Sequence, residues 1–529
     1  MNTRLGLGAV LLAAGITYAP LAIAGHDPSD IDPPPPEVEC VDQDGDGYLH
    51  CIGVSMADCN DHDASVHPGA PEVCTTPDVD NDCDGYLDDG CPDTQCDGID
   101  NNGDGIFDNG CPAECGGVAH NDCPLIQDLF AAGPIGFGQR ARGGRGGRLY
   151  YVTNFSDNAD NPAPGSLRYG VEGHVDVDGD GIGDLDAPLW IRFRIRGTIL
   201  LDERRGLRMS SNKTIDGRGT KVTLKNVGIS INTDENVIIE NIEIKDSACT
   251  GDDAACENPK YSAINVARSH DVWLDHLSLS NMGDALSDVE NYSTDVTLSW
   301  IHYSNHNQVA LIYAPGKVDV DLAKKTRITF HHNFFDQTCQ RQPSVNDYAK
   351  VHLFNNVWRD WGNSDVPCNA EYAVGTSTNA QVLLENNFFD YEIRNPNQSV
   401  CEGTAHETLV FGVHDADPGL AKAVGNMTLN YAGELHEREP QDVFDPRRCN
   451  EGLEGNCYEP VLEPTVCTDA CEALCPGCFD CDTNCRARSC QPMWDIMQGA
   501  GWRECPRGFC NTTPPPGSGD PPVVTADLP

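Results

Sequence analysis

Three short phrases near the N-terminus set oxygen-bearing side chains at alternate positions ahead of a glycine: Asp42-x-Asp44-x-Asp46-Gly47, Asp80-x-Asp82-x-Asp84-Gly85 and Asp100-x-Asn102-x-Asp104-Gly105. Ligands two residues apart, on a chain that a glycine lets turn sharply, can wrap a hard divalent cation, as in the first half of an EF-hand-type calcium loop. None has Glu at position twelve. The second and third instead place Asp88 and Asp108 two residues past the position whose backbone carbonyl would ligate. A fourth phrase, Asp176-x-Asp178-x-Asp180-Gly181 with Asp184, reads as an insertion in the following domain, where an ion would stiffen the loop rather than take part in chemistry. Ca2+ is therefore the expected cofactor; a merely solvated acidic linker is the competing reading. A different donor set, Cys467-x3-Cys471-x3-Cys475-x2-Cys478-x2-Cys481-x3-Cys485, has spacing that suits either zinc or disulfides.

The setting of these phrases is strongly uneven. The 529 residues carry a formal charge of -47, and 25 acids with no Lys or Arg lie between positions 26 and 123. Such a segment repels nucleic acid and anionic membranes and attracts divalent cations. Of 26 cysteines, ten lie between Cys40 and Cys123, eleven between Cys449 and Cys510, and five in the long middle. Cysteine in such number points to an oxidising compartment and to two stapled modules flanking a middle large enough to bury its own core. Residues 1–24, closing on Ala22-Ile23-Ala24, have the apolar run and small-x-small end of a secretory signal. No later apolar run reaches the length of a membrane helix. The expected division is 1–24 signal, 25–125 acidic Cys-rich repeats, 133–398 β domain, 399–512 Cys-rich region and 513–529 disordered tail, in a secreted monomer.

The middle is read as strands. NVIIENIEI, DVWLDHLSLSN, DVTLSWIHYSNH, RITFHHNFFDQ, KVHLFNNVWRDW and AQVLLENNFFDY share β-branched or aromatic alternation ending in polar Asn or Ser, with starts roughly 23 to 35 residues apart. Hairpin spacing for a sandwich and amphipathic helices for a βαβ fold are both missing from this stretch. The expectation is an all-β, right-handed parallel β-helix flanked by disulfide-rich small modules, with Asn at equivalent turns stacking into a side-chain ladder. Such a solenoid presents a long shallow face suited to a polymer. Beyond about Gln398 the rhythm fades; residues 400–448 read as loops with one helix-like stretch, DPGLAKAVGNMTL.

GFGQRARGGRGGRLYYVTN, PGSLRYGVE, IRFRIRGTILL, SSNKTIDGRG, VWLDH, DVTLSW, HHNFF, QRQP and VHLFNN, in that order across roughly 133–391, resemble the secreted pectate lyase family. Upstream, the acidic loops resemble thrombospondin type 3 and other extracellular calcium repeats, and ADCND, HPGAPEVC and NDCDGYLDDGC resemble Cys-rich metal-binding repeats of secreted bacterial proteins. The family resemblance implies a parallel β-helix, calcium, and eliminative cleavage of an acidic polysaccharide, polygalacturonate or pectin. Elimination removes the weakly acidic C5 proton of a uronate and expels the oxygen at C4, so negative charge moving onto the carboxylate must be neutralised.

The resemblance also implies roles. Arg341, in CQRQPSVND with Pro343 following, matches the family's base, although a guanidinium ordinarily keeps its proton. Asp284 and Asp288 in GDALSDV match a calcium-binding acid pair, while the third acid's position holds Ser262, a poor ligand. The family's lysine falls at Gln308 and its second arginine at Asn346; Lys350 is a candidate substitute. Losing two cations suits a less charged, methyl-esterified pectin, or else impairs turnover. His306, His331 and His332, and the Asp275-His276 pair, read as catalytic or structural. Trp190, Trp300, Trp358 and Trp361 read as sugar platforms or core. Three functions follow: a calcium-dependent polysaccharide lyase; a non-catalytic carbohydrate-binding or cell-surface β-helix that has lost activity; and a metal-scavenging surface protein with a passive solenoid.

Overall fold

The structure is a computed structural model describing residues 40–51, 58–71, 73, 79–83, 113–132, 134–247, 261–316, 318–359, 361, 372–390, 411–413, 419–429, 443–449, 453, 455–463, 466–467, 490–491, 496 and 500–501. The chain forms two compact units, Met1–Asp88 and Asp89–Pro529. The proposed signal, the third acidic loop, the cysteine cluster from Cys471 to Cys485 and the C-terminal tail lie outside the described residues.

Each strand phrase of the sequence bends once. NVIIENIEI becomes strands Glu235–Glu240 and Glu243–Ser247, and DVTLSWIHYSNH lies across Thr294–Ser299 and His302–Gln308. The corner between them is a residue in the left-handed region: Asn241 (φ 56°), His276 (49°), Trp300 (53°), His332 (55°), Asn355 (53°) and Asn386 (52°). Asn tolerates that region well, which is why Asn punctuates the phrases. A third, shorter strand then closes each coil.

Stacking the coils gives three parallel sheets of ten, nine and eight strands among the described residues, each neighbour one coil away. Coils run from the ten-stranded sheet to the nine-stranded and then the eight-stranded one, as in Lys213–Asp216, Val222–Asn226 and Ile229–Asn232. The parallel β-helix expected from the sequence is therefore present. Its interior is one continuous column of Ile, Leu, Val and aromatic side chains running from Val152 to Ala421. Tyr303, Phe335, Trp358 and Phe389 stack along the nine-stranded sheet with centroids 4.9, 4.6 and 4.3 Å apart, the separation of adjacent strands.

The Asn ladder is also present. The Nδ2 of Asn333 donates to Asn356 Oδ1, that of Asn356 to Asn387 Oδ1, and that of Asn387 to Asn426 Oδ1, each at 2.9 Å. Each amide also donates to a backbone carbonyl one strand away, Leu298, Phe330 and Leu353. Buried amides so satisfied lock the coils in register.

One expectation is overturned. The stretch read as helix-like forms strands Leu420–Val424 and Met427–Leu429, which extend the solenoid. Leu, Ala and Lys favour a helix in isolation, but Leu-Ala-Lys-Ala-Val also alternates with period two. Its backbone pairs in register with Gln381–Glu385, Ala421 enters the core, and Gly425 (φ 66°) turns the chain so that Asn426 ends the ladder. Tertiary pairing outweighs the small intrinsic helix preference.

Candidate active site and metal sites

The site is built where coils turn from the nine-stranded to the eight-stranded sheet. Four such corners lie on top of one another: Ser262-Ala263, Gly283–Leu286, Val309-Ala310 and Arg341–Pro343. Backbone hydrogen bonds join them in order. Ala263 N–H donates to Ala285 O (3.0 Å), Leu286 N–H to Val309 O (2.9 Å) and Ala310 N–H to Arg341 O (2.7 Å). Gly228 caps the stack at one end, since a Cβ there would meet Ser262 O at 1.9 Å. The corner of Arg341 is thus two coils from that of Asp284, about 10 Å at the ordinary strand spacing.

Asp284 is exposed, and among the described residues its carboxylate has no hydrogen-bond partner. Its carbonyl is held by buried His306, Nε2 to O 2.6 Å. That contact makes His306 a support for this turn, and burial keeps its pKa below the ordinary value. Asp288 starts the outward row of the eight-stranded sheet at 6% exposure. Its Oδ1 accepts from Leu311 N–H (2.8 Å) and its Oδ2 from Ser262 Oγ–H (3.0 Å). Burial, with Glu290 and Asp284 nearby, pushes its pKa up to about 7. Among the described residues no third ligand completes a three-ligand group with the pair; the groups that form lie elsewhere. The donors are all oxygen, and Asp288 is a buried acid short of positive charge, so the residues fit a calcium ion bound openly, with positions left for a substrate's carboxylate.

Arg341 occupies a left-handed corner (φ 55°) just after strand Phe334–Gln340. The corner is braced: Cys339 is buried and disulfide-bonded, Thr338 Oγ1 donates to Gln342 Oε1 at 2.8 Å, and Gln342 N–H donates to Ala373 O at 2.7 Å. Arg168 and Arg218 are locked in buried carboxylate pairs. The half-buried guanidinium of Arg341 has no such partner among the described residues. Gln308 ends strand His302–Gln308 in register with Gln340, beside the same corner. Asn346 lies on the eight-stranded sheet opposite Tyr313, which pairs in turn with Glu290, and accepts from Ser377 Oγ at 2.6 Å. Ser262, Asp284, Asp288, Gln308, Arg341 and Asn346 therefore share one side of the solenoid.

Lys350 does not join them. Asp347 and Tyr348 (φ 50° and 63°) turn the chain onto the ten-stranded sheet, where Lys350 is 7% exposed and its Nζ donates to Lys324 O. Counting residues beyond Asn346 did not reveal that corner. Trp190, Trp358 and Trp361 are core, and Trp300 is sandwiched between His276 and His332, so none of the four is a free sugar platform. His331 and His332 pack edge to face, 5.1 Å between centroids, on the ten-stranded side. Asp275 and His276 also lie there, away from Arg341.

The acidic loops take the local shape their spacing predicts. Asp42 Oδ1 accepts from Gly45 N–H, Asp44 Oδ1 from Asp46 N–H and Asp46 Oδ1 from Tyr48 N–H. Gly45 and Gly47 take φ of 82° and 96°. Ligand oxygens of Asp42, Asp44 and Asp46 lie within 4.8 Å of one another, and Oδ2 of both Asp44 and Asp46 is buried without a hydrogen bond. Asp58, 1% exposed, adds its charge to Asp44, whose pKa is raised by desolvation and by Asp46, Asp58 and Asp42. Sequence spacing could not find Asp58, because it comes from outside the alternating phrase. The loop at Asp176 repeats the pattern: Asp176 receives Gly179 and Gly181 N–H, and Asp180 receives Ile182 N–H. Its converging group is Asp176, Asp178 and Asp184. Asp80 and Asp82 are half-buried beside the Cys59–Cys83 disulfide; Asp84, Asp88, Asp100, Asn102, Asp104 and Asp108 lie outside the described residues.

Parts of the chain are similar to known proteins. Residues 202–412 match the Pectate lyase family, and residues 58–89 and 90–109 match the Cu-binding MopE metal-binding motif. A pectate lyase of Nicotiana tabacum is 34% identical over 266 residues, 48% of this chain and 61% of that protein. Pectate lyase 1 of Chamaecyparis obtusa is 34% identical over 267 residues, 48% of this chain and 65% of its own length. The chain spans about three fifths of the length of the curated relatives it matches. The crystal structure of jun a 1, the major allergen from cedar pollen, is 26% identical, covers 64% of this chain and 97% of its own, and has a TM-score of 0.47. The match to the Pectate lyase family model, residues 202–412, thus falls within the parallel β-helix described above.

Proposed function

We propose that the protein is an exported polysaccharide lyase that cleaves polygalacturonate or partly esterified pectin by calcium-assisted β-elimination. The observation supporting this most directly is the shared side of the solenoid: an arginine with no carboxylate partner among the described residues, two coils from an acid pair. Asp284 and Asp288 would hold Ca2+, which when bound neutralises the substrate carboxylate. Arg341 receives the C5 proton once its guanidinium has given up one of its own. The C5–H electrons form the C4=C5 double bond, the C4–O bond breaks, and the leaving oxygen takes a proton from solvent. With no carboxylate partner among the described residues, Arg341 is able to approach C5, and the braced corner holds it there.

Gln308 and Asn346 put amides where the family carries cations, which favours a substrate with part of its carboxylates esterified. The Cys59–Cys83, Cys115–Cys123 and Cys449–Cys457 disulfides suit an oxidising, extracellular setting. Among the described residues no helix is long and apolar enough to cross a membrane. The test is the full chain on polygalacturonate and on pectins of graded esterification, with and without chelator, following the ultraviolet absorbance of unsaturated products. A chelator-sensitive rise supports the proposal. Binding without any product on every polymer instead identifies a non-catalytic carbohydrate-binding β-helix.

A further inference from the structure

A second constellation lies on the ten-stranded sheet, outside the face assigned to the lyase. Asp216, Glu240 and Asp275 end three successive strands and face one another in register. Asp216 is fully served: Arg218 donates to it through Nε (2.9 Å) and Nη2 (2.8 Å), Trp190 Nε1 at 3.0 Å, and Arg192 lies 3.3 Å away. Asp275 accepts from Ser299 Oγ–H, and its other oxygen lies 2.7 Å from His276 Nδ1. Glu240 sits between the two at 5% exposure, and its Oε2 has no hydrogen-bond partner. The nearby cation is Arg218 Nε at 3.5 Å, which already donates to Asp216.

A buried carboxylate between two others is costly unless a proton or a cation joins it. One ligand atom each from Glu240, Asp275 and His276 lies within 4.8 Å of the others. The imidazole is oriented by stacking on Trp300, centroids 5.6 Å apart and planes 11° from parallel. The His276 side chain is 14% exposed, which opens the cluster to solvent on one edge.

We infer that Glu240, Asp275 and His276 form a binding site for one divalent transition-metal ion of the zinc class, with water completing the coordination. Two carboxylates and an imidazole are the donors such ions take, whereas Ca2+ and Mg2+ favour oxygen alone. The ion gives Glu240 Oε2 the partner that no hydrogen bond provides, beside an Arg218 it shares with Asp216, and it pins two consecutive coils together. This site stands independently of the lyase reading, because none of its residues lies at the Arg341 corner.

The test uses the full chain, stripped of metal and then held in excess Ca2+ to fill the oxygen-only loops. Zn2+ content after dialysis, and the visible absorption of Co2+ added in its place, are compared among wild type, Glu240→Gln and His276→Asn. Glu240→Gln keeps shape and volume, so its fold is expected to survive even if His276→Asn does not. The expected result is about one more Zn2+ per chain in wild type than in Glu240→Gln, with a Zn2+-dependent rise in Tm confined to wild type. Equal Zn2+ content in the two, or a Glu240→Gln chain more stable than wild type whether or not Zn2+ is present, overturns the site and leaves Glu240 a protonated buried acid.

Discussion

Lowering the pH from 8 to 6 should weaken calcium binding at Asp284 and Asp288 about tenfold, through Asp288. Without an ion, burial beside Glu290 and Asp284 raises Asp288 from 3.8 to about 7. The sign follows from linkage: a carboxyl raised on folding penalises the folded state above pH 7, and the penalty fades as pH falls from 7 towards 3.8. That gap corresponds to ~4 kcal/mol at pH 8. A bound cation relieves the same penalty at high pH, so proton and calcium compete for Asp288. Its apparent dissociation constant is multiplied by about 1.1 at pH 8 and about 11 at pH 6, a difference of ~1.4 kcal/mol. Substrate uronates, with ordinary carboxylate pKa values, stay ionised throughout this window. The assay is half-saturating calcium for product formation at the two pH values, in wild type and Asp288→Asn. The mutant should need more calcium at pH 8 and lose the pH shift. Half-saturation changing by less than twofold between pH 8 and 6 in wild type, or an identical shift in the mutant, refutes the argument.

Arg341→Ala should lower turnover by at least about 100-fold while leaving polymer binding within a few-fold, as loss of a positioned base does; affinity electrophoresis beside the product assay separates the two effects. Gln308→Lys with Asn346→Arg should raise activity on fully de-esterified polygalacturonate by about 5-fold relative to methylated pectin, the scale of one modest ion pair; an unchanged ratio argues against charge matching at this face. Asn356→Ala leaves Asn333 N–H and Phe330 O without the amide that serves them and should cost about 2 to 5 kcal/mol, read as a lower denaturation midpoint. Asp58→Ala should weaken calcium binding by the Asp42 loop with no change in solenoid stability, measured by calorimetric titration.

The solenoid was legible in the sequence because its two most regular demands leave direct marks. Interior rows need alternating apolar residues, and corners need residues that accept positive φ, so Asn recurs where VIIEN and HLFNN turn. The Leu420–Met427 stretch misled because Ala, Leu and Lys are helix formers and the coil it joins is specified by residues forty positions earlier. Arg341 and the Asp284–Asp288 pair became candidates through resemblance, since nothing in their spacing says that positions 53 to 57 residues apart sit two coils from each other. Lys350 was misplaced because two left-handed residues lie hidden in an ordinary Asp-Tyr pair. Glu240 drew no attention at all: in NVIIE it looks like the polar end of a strand, and only the register that sets it between Asp216 and Asp275 shows what it lacks.

The stacked corners also make the site a ruler graduated in whole coils. The distance from acid pair to arginine is fixed by one intervening turn, Val309-Ala310, rather than by the lengths of the segments between them. Loops such as residues 314–326, which leave the helix and return to it, can grow or shrink without moving either group. Deleting one complete coil would instead bring Arg341 about 5 Å nearer to Asp288 with every side chain unaltered. The spacing between acid pair and arginine could thus be retuned by gain or loss of a repeat, in steps that no point substitution can imitate.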